Sequence, residues 1–209
     1  MLLFSVLLML LPSLAGCGML QAQSAPVQMT VDATGPIRNF SYPPTSGRSG
    51  SAGSPKLPLT IRLEIPDVRP DIDGKTVVEF VLTNVSKAAI TVPVFPNPAD
   101  VESGANAQYH VLSLGCRLTK GADDRSGDAP GISLWGRVSV AGSLVALEPG
   151  KSLLVRARLA IPRSWQRDDW ASGSLEATAI LEDSQMTVSN GRASSDSQVL
   201  GIVRSVVRH

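Results

Sequence analysis

From residue 57 onward, apolar and polar side chains alternate in short runs, which is the period of a half-buried β-strand. The first run, 59–65, alternates strictly and stops before Pro66, which cannot donate a ladder hydrogen bond. None of the runs keeps a helical period. The pattern predicts strands over 59–65, 77–83, 90–95, 109–119, 133–141, 144–147, 153–161, 175–181 and 199–207.

About seven to nine short strands with regular turn signals predict an all-β fold, an antiparallel β-sandwich over 57–209. The runs 59–65 and 77–84, the turn Asn84-Val85-Ser86 and the stretch 147–153 resemble bacterial immunoglobulin-like or fibronectin-III-like domains. The resemblance covers most of 57–209 and implies an immunoglobulin-like sandwich. These motifs are generic to sandwiches and imply no activity. The Cys-Trp-Cys pattern of antibody domains is absent, so packing rather than a disulfide should hold the sandwich together.

The N-terminus has the pattern of a targeting segment. Residues 1–11, MLLFSVLLMLL, are nearly all apolar but fall short of the ~20 residues that span a bilayer. The following Leu14-Ala15-Gly16-Cys17 resembles the lipobox of bacterial lipoproteins. That resemblance implies a signal peptide over 1–16 and a lipidated Cys17 that anchors the protein in a membrane of the cell envelope. The alternatives are cleavage near residues 20–22, which releases a secreted or periplasmic soluble protein, and an uncleaved anchor.

Residues 17–56 separate the predicted anchor from the sandwich. Ser, Gly, Pro and Thr crowd this stretch, and no apolar period is sustained in it, so it should bury too little apolar surface to offset its chain entropy. It is predicted to be a lipid-anchored, disordered and flexible linker. Phe40 and Tyr42 leave open a short docking segment within it.

Composition narrows the function classes. Hydrophobic residues make up 43% of the chain, which supports a real core and excludes wholesale disorder. Lys plus Arg number 19 and Asp plus Glu 18, so the chain has no basic excess and we expect no nucleic-acid partner. With 2 Cys and 2 His, a cysteine-rich zinc site is excluded.

The sequence contains no convincing catalytic set. Cys116 and His110 are the only thiol and imidazole of the predicted sandwich that lie close in sequence, yet six residues along one strand separate them by ~20 Å. Cys116 shares its predicted face with leucines, which favours a buried thiol. We therefore expect no enzyme activity, no cofactor and no metal. A hydrolase that uses a serine or Cys116 remains the weakly supported alternative.

Three tryptophans, Trp135, Trp165 and Trp170, are the candidate binding surface, because exposed Trp on a sandwich often marks carbohydrate or protein contact. The alternative is that they pack in the core or plug the ends of the sandwich. The leading interpretation is an envelope-anchored, non-enzymatic binding or structural module with a protein or polysaccharide partner. The runner-up is an accessory protein that inhibits or chaperones a secreted enzyme.

Overall fold

The computed structural model describes residues 25–36, 45–49, 55–65, 73–101, 106–119, 130–160, 174–189 and 192–207. Most of these residues are in strands, which confirms the all-β prediction; the one helical segment among them is a 3-10 turn at Pro98–Val101. The described strands are β1 (Val27–Ala33), β2 (Thr45–Ser49), β3 (Leu59–Glu64), β4 (Thr76–Asn84), β5 (Ile90–Pro93), β6 (Ala107–Thr119), β7 (Gly131–Arg137), β8 (Leu144–Leu147), β9 (Ser152–Leu159), β10 (Ser174–Ser189) and β11 (Arg192–Val207). Within these ranges, no helix is long and apolar enough to cross a membrane.

The strands form a four-stranded sheet in the order β1-β9-β4-β3 and a five-stranded sheet in the order β2-β11-β10-β6-β7, with β5 and β8 paired separately. All described neighbours are antiparallel except at two edges, where β1 runs parallel to β9 and β2 parallel to β11. Among the described residues, every strand pair within the predicted range 57–209 is antiparallel, as expected, and each parallel pair includes a strand from outside that range. The two edge strands come from the stretch before residue 57, where no strand was predicted.

The main core lies between the two larger sheets. One continuous hydrophobic cluster contains inward-facing side chains of both sheets. Its members include Phe80, Leu82 and Leu153 from the four-stranded sheet and Leu112 and Leu114 from the five-stranded sheet. All five are almost completely buried. The period-two alternation in β3, β4 and β9 explains this, because every second side chain points to the same side of a pleated sheet.

Strand β1 corrects the predicted flexible linker over 17–56. Residues 27–33 pair with β9 along their length, and Val31 and Ala33 are buried in the core cluster. The amide of Ser152 donates to the carbonyl of Pro26 at 3.0 Å. The physical reason is visible in the sequence VQMTVDA, whose apolar residues alternate with polar ones and cover the edge of β9.

Strands β10 and β11 are each 16 residues long, well beyond the predicted 175–181 and 199–207. The register between β10 and β11 shifts at Leu181/Glu182. From Glu182 onward, β10 is still paired with β11 on one side, and it is paired with residues 107–111 of β6 on the other. We call the segments 182–189 and 192–199 the projecting hairpin.

The hairpin projects from the end of the sandwich at which β1 begins, which we call the proximal end. Lys56, three residues before the start of β3, forms a parallel bridge with Ile202 of β11. Because the two segments run in the same direction, residues 192–201, which precede Ile202, extend beyond the start of β3. Segment 55–57 packs closely there: a Cβ on Gly201 would lie 2.8 Å from the Leu57 side chain. The start of β1 lies at this same end. The start of β3 pairs with the end of β4, the end of β4 with the start of β9, and the start of β9 with the start of β1.

Candidate functional site

The inner face of the projecting hairpin and the adjoining part of β6 carry five polar side chains around a shallow depression of about 220 Å³. We call this set the polar face; its members are Gln108, Asp183, Gln185, Asp196 and Gln198. On β10, Gln185 pairs with Gln108 of β6 on one side and with Asp196 of β11 on the other. Asp183 of β10 pairs with Gln198 of β11. The set therefore extends across three neighbouring strands.

This face continues the core-facing side of the five-stranded sheet. Along β6, Leu112 and Leu114 point into the core, and Gln108 has the same parity on the strand. Along β10, Leu181 is in the core, and Asp183 and Gln185 follow at the same alternation. The face turns polar where the hairpin extends past the core, and Gln108 and Gln185 are exposed there.

The polar face has defined hydrogen-bonding chemistry. The Nε2 amide of Gln108 donates to both carboxylate oxygens of Asp183, at 3.0 Å and 3.3 Å. Each of the three glutamine amides offers donors and an acceptor, whereas the two carboxylates offer acceptors only. Such a set can bind a ligand that presents several hydroxyl or N–H groups to one flat surface.

The opposite face of the same strands is held by a second, smaller core cluster. Val101, Ala107, Tyr109 and Val111 form it, and Phe95 and Trp135 pack against it. The hydroxyls of Ser184 and Ser197, both buried, lie 3.1 Å apart across the hairpin. The hairpin is therefore packed on one face at its root while the polar face is open to solvent.

Trp135 is placed by this second cluster. Its backbone pairs with that of Phe95: the Trp135 amide donates to the Phe95 carbonyl at 2.7 Å, and the Trp135 carbonyl accepts from the Phe95 amide at 3.1 Å. The Trp135 side chain is partly buried. Trp135 also pairs with Val111 on β6. Its use as a binding surface stays a prediction. Trp165, Trp170 and Cys17 lie outside the described residues, so the structure does not bring the three tryptophans together or separate them.

A second depression, of about 560 Å³, lies on the outer face of the five-stranded sheet. Gly115 and Gly131 form part of its lining, together with Thr178. The Nε of Arg204 lies 3.7 Å from a carboxylate oxygen of Glu176 at its margin. This depression is wider and of mixed polarity, and it lacks the concentrated amide and carboxylate groups of the polar face.

Cys116 has the features of a packing residue. It is 1% exposed, and its Sγ lies 3.6 Å from the carbonyl oxygen of Pro130. Burial raises the pKa of the thiol to about 12, so the thiol is protonated at neutral pH and is a poor nucleophile. His110 lies six residues away on the same strand, opposite Asp183.

No metal-binding group of three or more His, Cys, Asp or Glu side chains occurs among the described residues. At the polar face, the carboxylates of Asp183 and Asp196 can accept hydrogen bonds. The half-buried Asp183 already accepts from Gln108, which orients its carboxylate.

Sequence reasoning missed all five residues of the polar face. Their one signal is the spacing of two residues between Asp183 and Gln185 and between Asp196 and Gln198, which is the period of a strand with one polar face. Without apolar residues between them, that spacing does not stand out from a polar loop. Comparison with protein-family models, curated proteins and solved structures found no match for this chain.

Proposed function

We propose that this chain is a lipoprotein of the cell envelope and that its β-fold is a non-enzymatic binding module, with the polar face as its binding surface. The observation that carries the proposal is the projecting hairpin itself. It extends two strands past the main core and presents, on an open face, four of the five amide and carboxylate side chains of the polar face, beside Gln108 on β6. Core stability alone does not require such an extension, since the described side chains on its inner face are polar.

The lipoprotein part of the proposal draws on the signal peptide 1–16 and the lipobox ending in Cys17. The acyl chains would hold the protein on the membrane, because each buried methylene contributes ~0.8 kcal/mol and two or more chains anchor stably. The proposed fold is an immunoglobulin-like sandwich. The placement of β3, β4 and β9 in one sheet and of β6, β10 and β11 in the other supports it.

The ligand class proposed is a polysaccharide or another hydroxyl-rich polymer. Sugar hydroxyls both donate and accept, which matches three amides beside two carboxylates. A hydrogen bond to a neutral group contributes ~0.5–1.5 kcal/mol and one to a carboxylate ~1.5–3 kcal/mol, so the face should bind by several contacts together. This proposal replaces aromatic stacking by Trp135 with hydrogen bonding as the source of specificity.

The anchor is tested on the protein made in its native cells. Mass spectrometry of the mature N-terminal peptide should show an acylated Cys17, and Cys17→Ser should move the protein from the membrane to the soluble fraction. An unmodified N-terminus at Gln23 would contradict the anchor and leave a soluble secreted protein.

The binding surface is tested by titrating purified envelope polysaccharide into the protein in a calorimeter. The double variant Gln185→Ala/Gln198→Ala should weaken binding at least tenfold, because both amides lie on the polar face. The matched control Ser113→Ala/Thr178→Ala alters the other depression and should leave binding unchanged. Equal losses in both variants, or no binding by the unmodified protein, would contradict the assignment.

A further inference from the structure

We propose that the projecting hairpin points toward the lipid surface that holds Cys17, so that the polar face lies in the narrow space between the sandwich and the membrane. The inference rests on the proposed lipidation of Cys17. It adds an orientation and a partner, the hydrated headgroup layer of the bilayer.

The first step is direction. Strand β1 begins at the proximal end, where the amide of Ser152 is bonded to Pro26. Residues 192–201 of β11 run past the sandwich at that same end, as the bridge between Lys56 and Ile202 requires. The chain that leads to the anchor and the projecting hairpin therefore leave the sandwich from one end.

The second step is length. The chain from Cys17 to Val27 makes ten Cα–Cα steps, and at most ~3.6 Å per step it reaches ~36 Å. Along β11, the nine steps from Gly201 to Arg192 extend ~30 Å at ~3.3 Å per residue. Even the fully extended tether thus exceeds the hairpin by only about 6 Å. A sandwich anchored through Cys17 cannot be held off the membrane by much more than the length of its own hairpin.

The third step is the opposite end of the sandwich. Strand β9 runs parallel to β1, away from the proximal end, and finishes at Leu159 with Ala160 exposed. From Ser152 to Leu159 the strand adds ~23 Å at ~3.3 Å per residue. For Ala160 to approach the membrane, the tether would have to pass back along the whole sheet and also span the remaining gap.

The fourth step is chemistry. The sequence 182–198 contains six Ser or Thr, two Gln, one Asn and three Asp or Glu, with Arg192 as its only cation. Such a composition favours the hydrated headgroup region over the acyl chains, because each polar group buried in hydrocarbon without a partner costs several kcal/mol. The hairpin should therefore rest against headgroups without inserting.

The experiment uses the acylated full-length mature protein, reconstituted in vesicles whose lipids carry a headgroup quencher. A fluorophore is attached at Ser189→Cys, the last residue of β10, or at Ala160→Cys at the opposite end. The native Cys116 is buried and stays unlabelled in the folded protein. The label at residue 189 should be quenched several-fold more than the label at residue 160.

A lengthened tether separates this inference from a general affinity for membranes. A Gly/Ser insert of about 20 residues after Ser24 adds up to ~70 Å of reach. Quenching at residue 189 should then fall toward the level at residue 160. Quenching that persists would overturn the tether as its cause.

The two proposals fail in different ways. Missing acylation, or vesicles that float without the protein, would overturn both the anchor and the orientation. Acylated, vesicle-bound protein with equal quenching at the two labels, or stronger quenching at residue 160, would overturn the orientation alone.

Discussion

At the residue scale, Asn84 organises the proximal end of the sandwich. Its side chain is completely buried, and its Nδ2 donates to the carbonyls of Ala88 and Leu147, both at 2.8 Å. Its Oδ1 accepts from the amide and the hydroxyl of Ser86 at 2.9 Å and 2.7 Å. One side-chain amide thus hydrogen-bonds both to the loop after β4 and to the end of β8.

Asn84→Ala should therefore lower the free energy of unfolding by ~2–4 kcal/mol, because it removes the buried hydrogen bond to the Leu147 carbonyl together with those that hold the loop after β4. Urea denaturation measures the loss. The control Ser86→Ala removes three hydrogen bonds of one hydroxyl, with Asn84 Oδ1 and with the carbonyl and amide of Ala88; since those with Ala88 are exposed to water, the variant should cost ~1 kcal/mol or less. Equal losses for the two variants would contradict the role given to Asn84.

The buried thiol of Cys116 makes the free energy of unfolding depend on pH in the alkaline range. Burial raises its pKa in the folded protein from 9.0 to about 12, so between these values the unfolded chain loses this proton and the folded protein keeps it. Because the unfolded state binds fewer protons there, stability falls as pH rises, by up to ~1.4 kcal/mol per pH unit. Below pH 9 the contribution is fully present.

Urea denaturation at pH 8 and pH 10.5 should show this fall, and Cys116→Ala should make it smaller, although the variant is less stable at both pH values because it leaves a cavity. The same slope in the variant and the unmodified protein would show that other groups cause the pH dependence.

At the scale of elements, the contribution of β1 to stability tests whether residues 27–33 are a structural strand or part of a flexible linker. Val31 is 6% exposed in the core cluster, whereas its neighbour Thr30 points outward. Val31→Asp would bury a charge and should lower the free energy of unfolding by more than ~2 kcal/mol. Thr30→Asp, on the same strand, should change it by less than ~1 kcal/mol. Thermal unfolding that is equal in both variants would support the original linker prediction.

At the scale of the whole molecule, the sandwich has a main core between its sheets and a smaller cluster under the projecting hairpin. The hairpin has packing on one face only, so it should open more easily than the inner strands. Hydrogen exchange should show amides of 182–198 exchanging faster than those of β4 and β9. Equal protection in both regions would mean that the molecule opens only as one unit.

The sequence predicted nine of the described strands because each has an apolar face, as 59–65 and 77–83 show. It missed β1, whose alternation was obscured by the Ser- and Pro-rich residues around it. It also missed the second half of β10 and the first half of β11, since no apolar side chain alternates through Asp183, Gln185, Asp196 and Gln198. Those residues are in strands because their neighbours supply ladder hydrogen bonds, which is a non-local cause.

By itself, the sequence determined the all-β class, the burial of Cys116 and the faces of the inner strands, because a local alternation decides which side of a pleated strand is apolar. It also carries the signal peptide and lipobox pattern from which the anchor at Cys17 is proposed. Only the tertiary structure decided that five polar residues from three strands form one face, and that this face leaves the sandwich at the end where β1 begins. Pairing partners and strand order depend on contacts between residues far apart in the chain, and no local pattern records them.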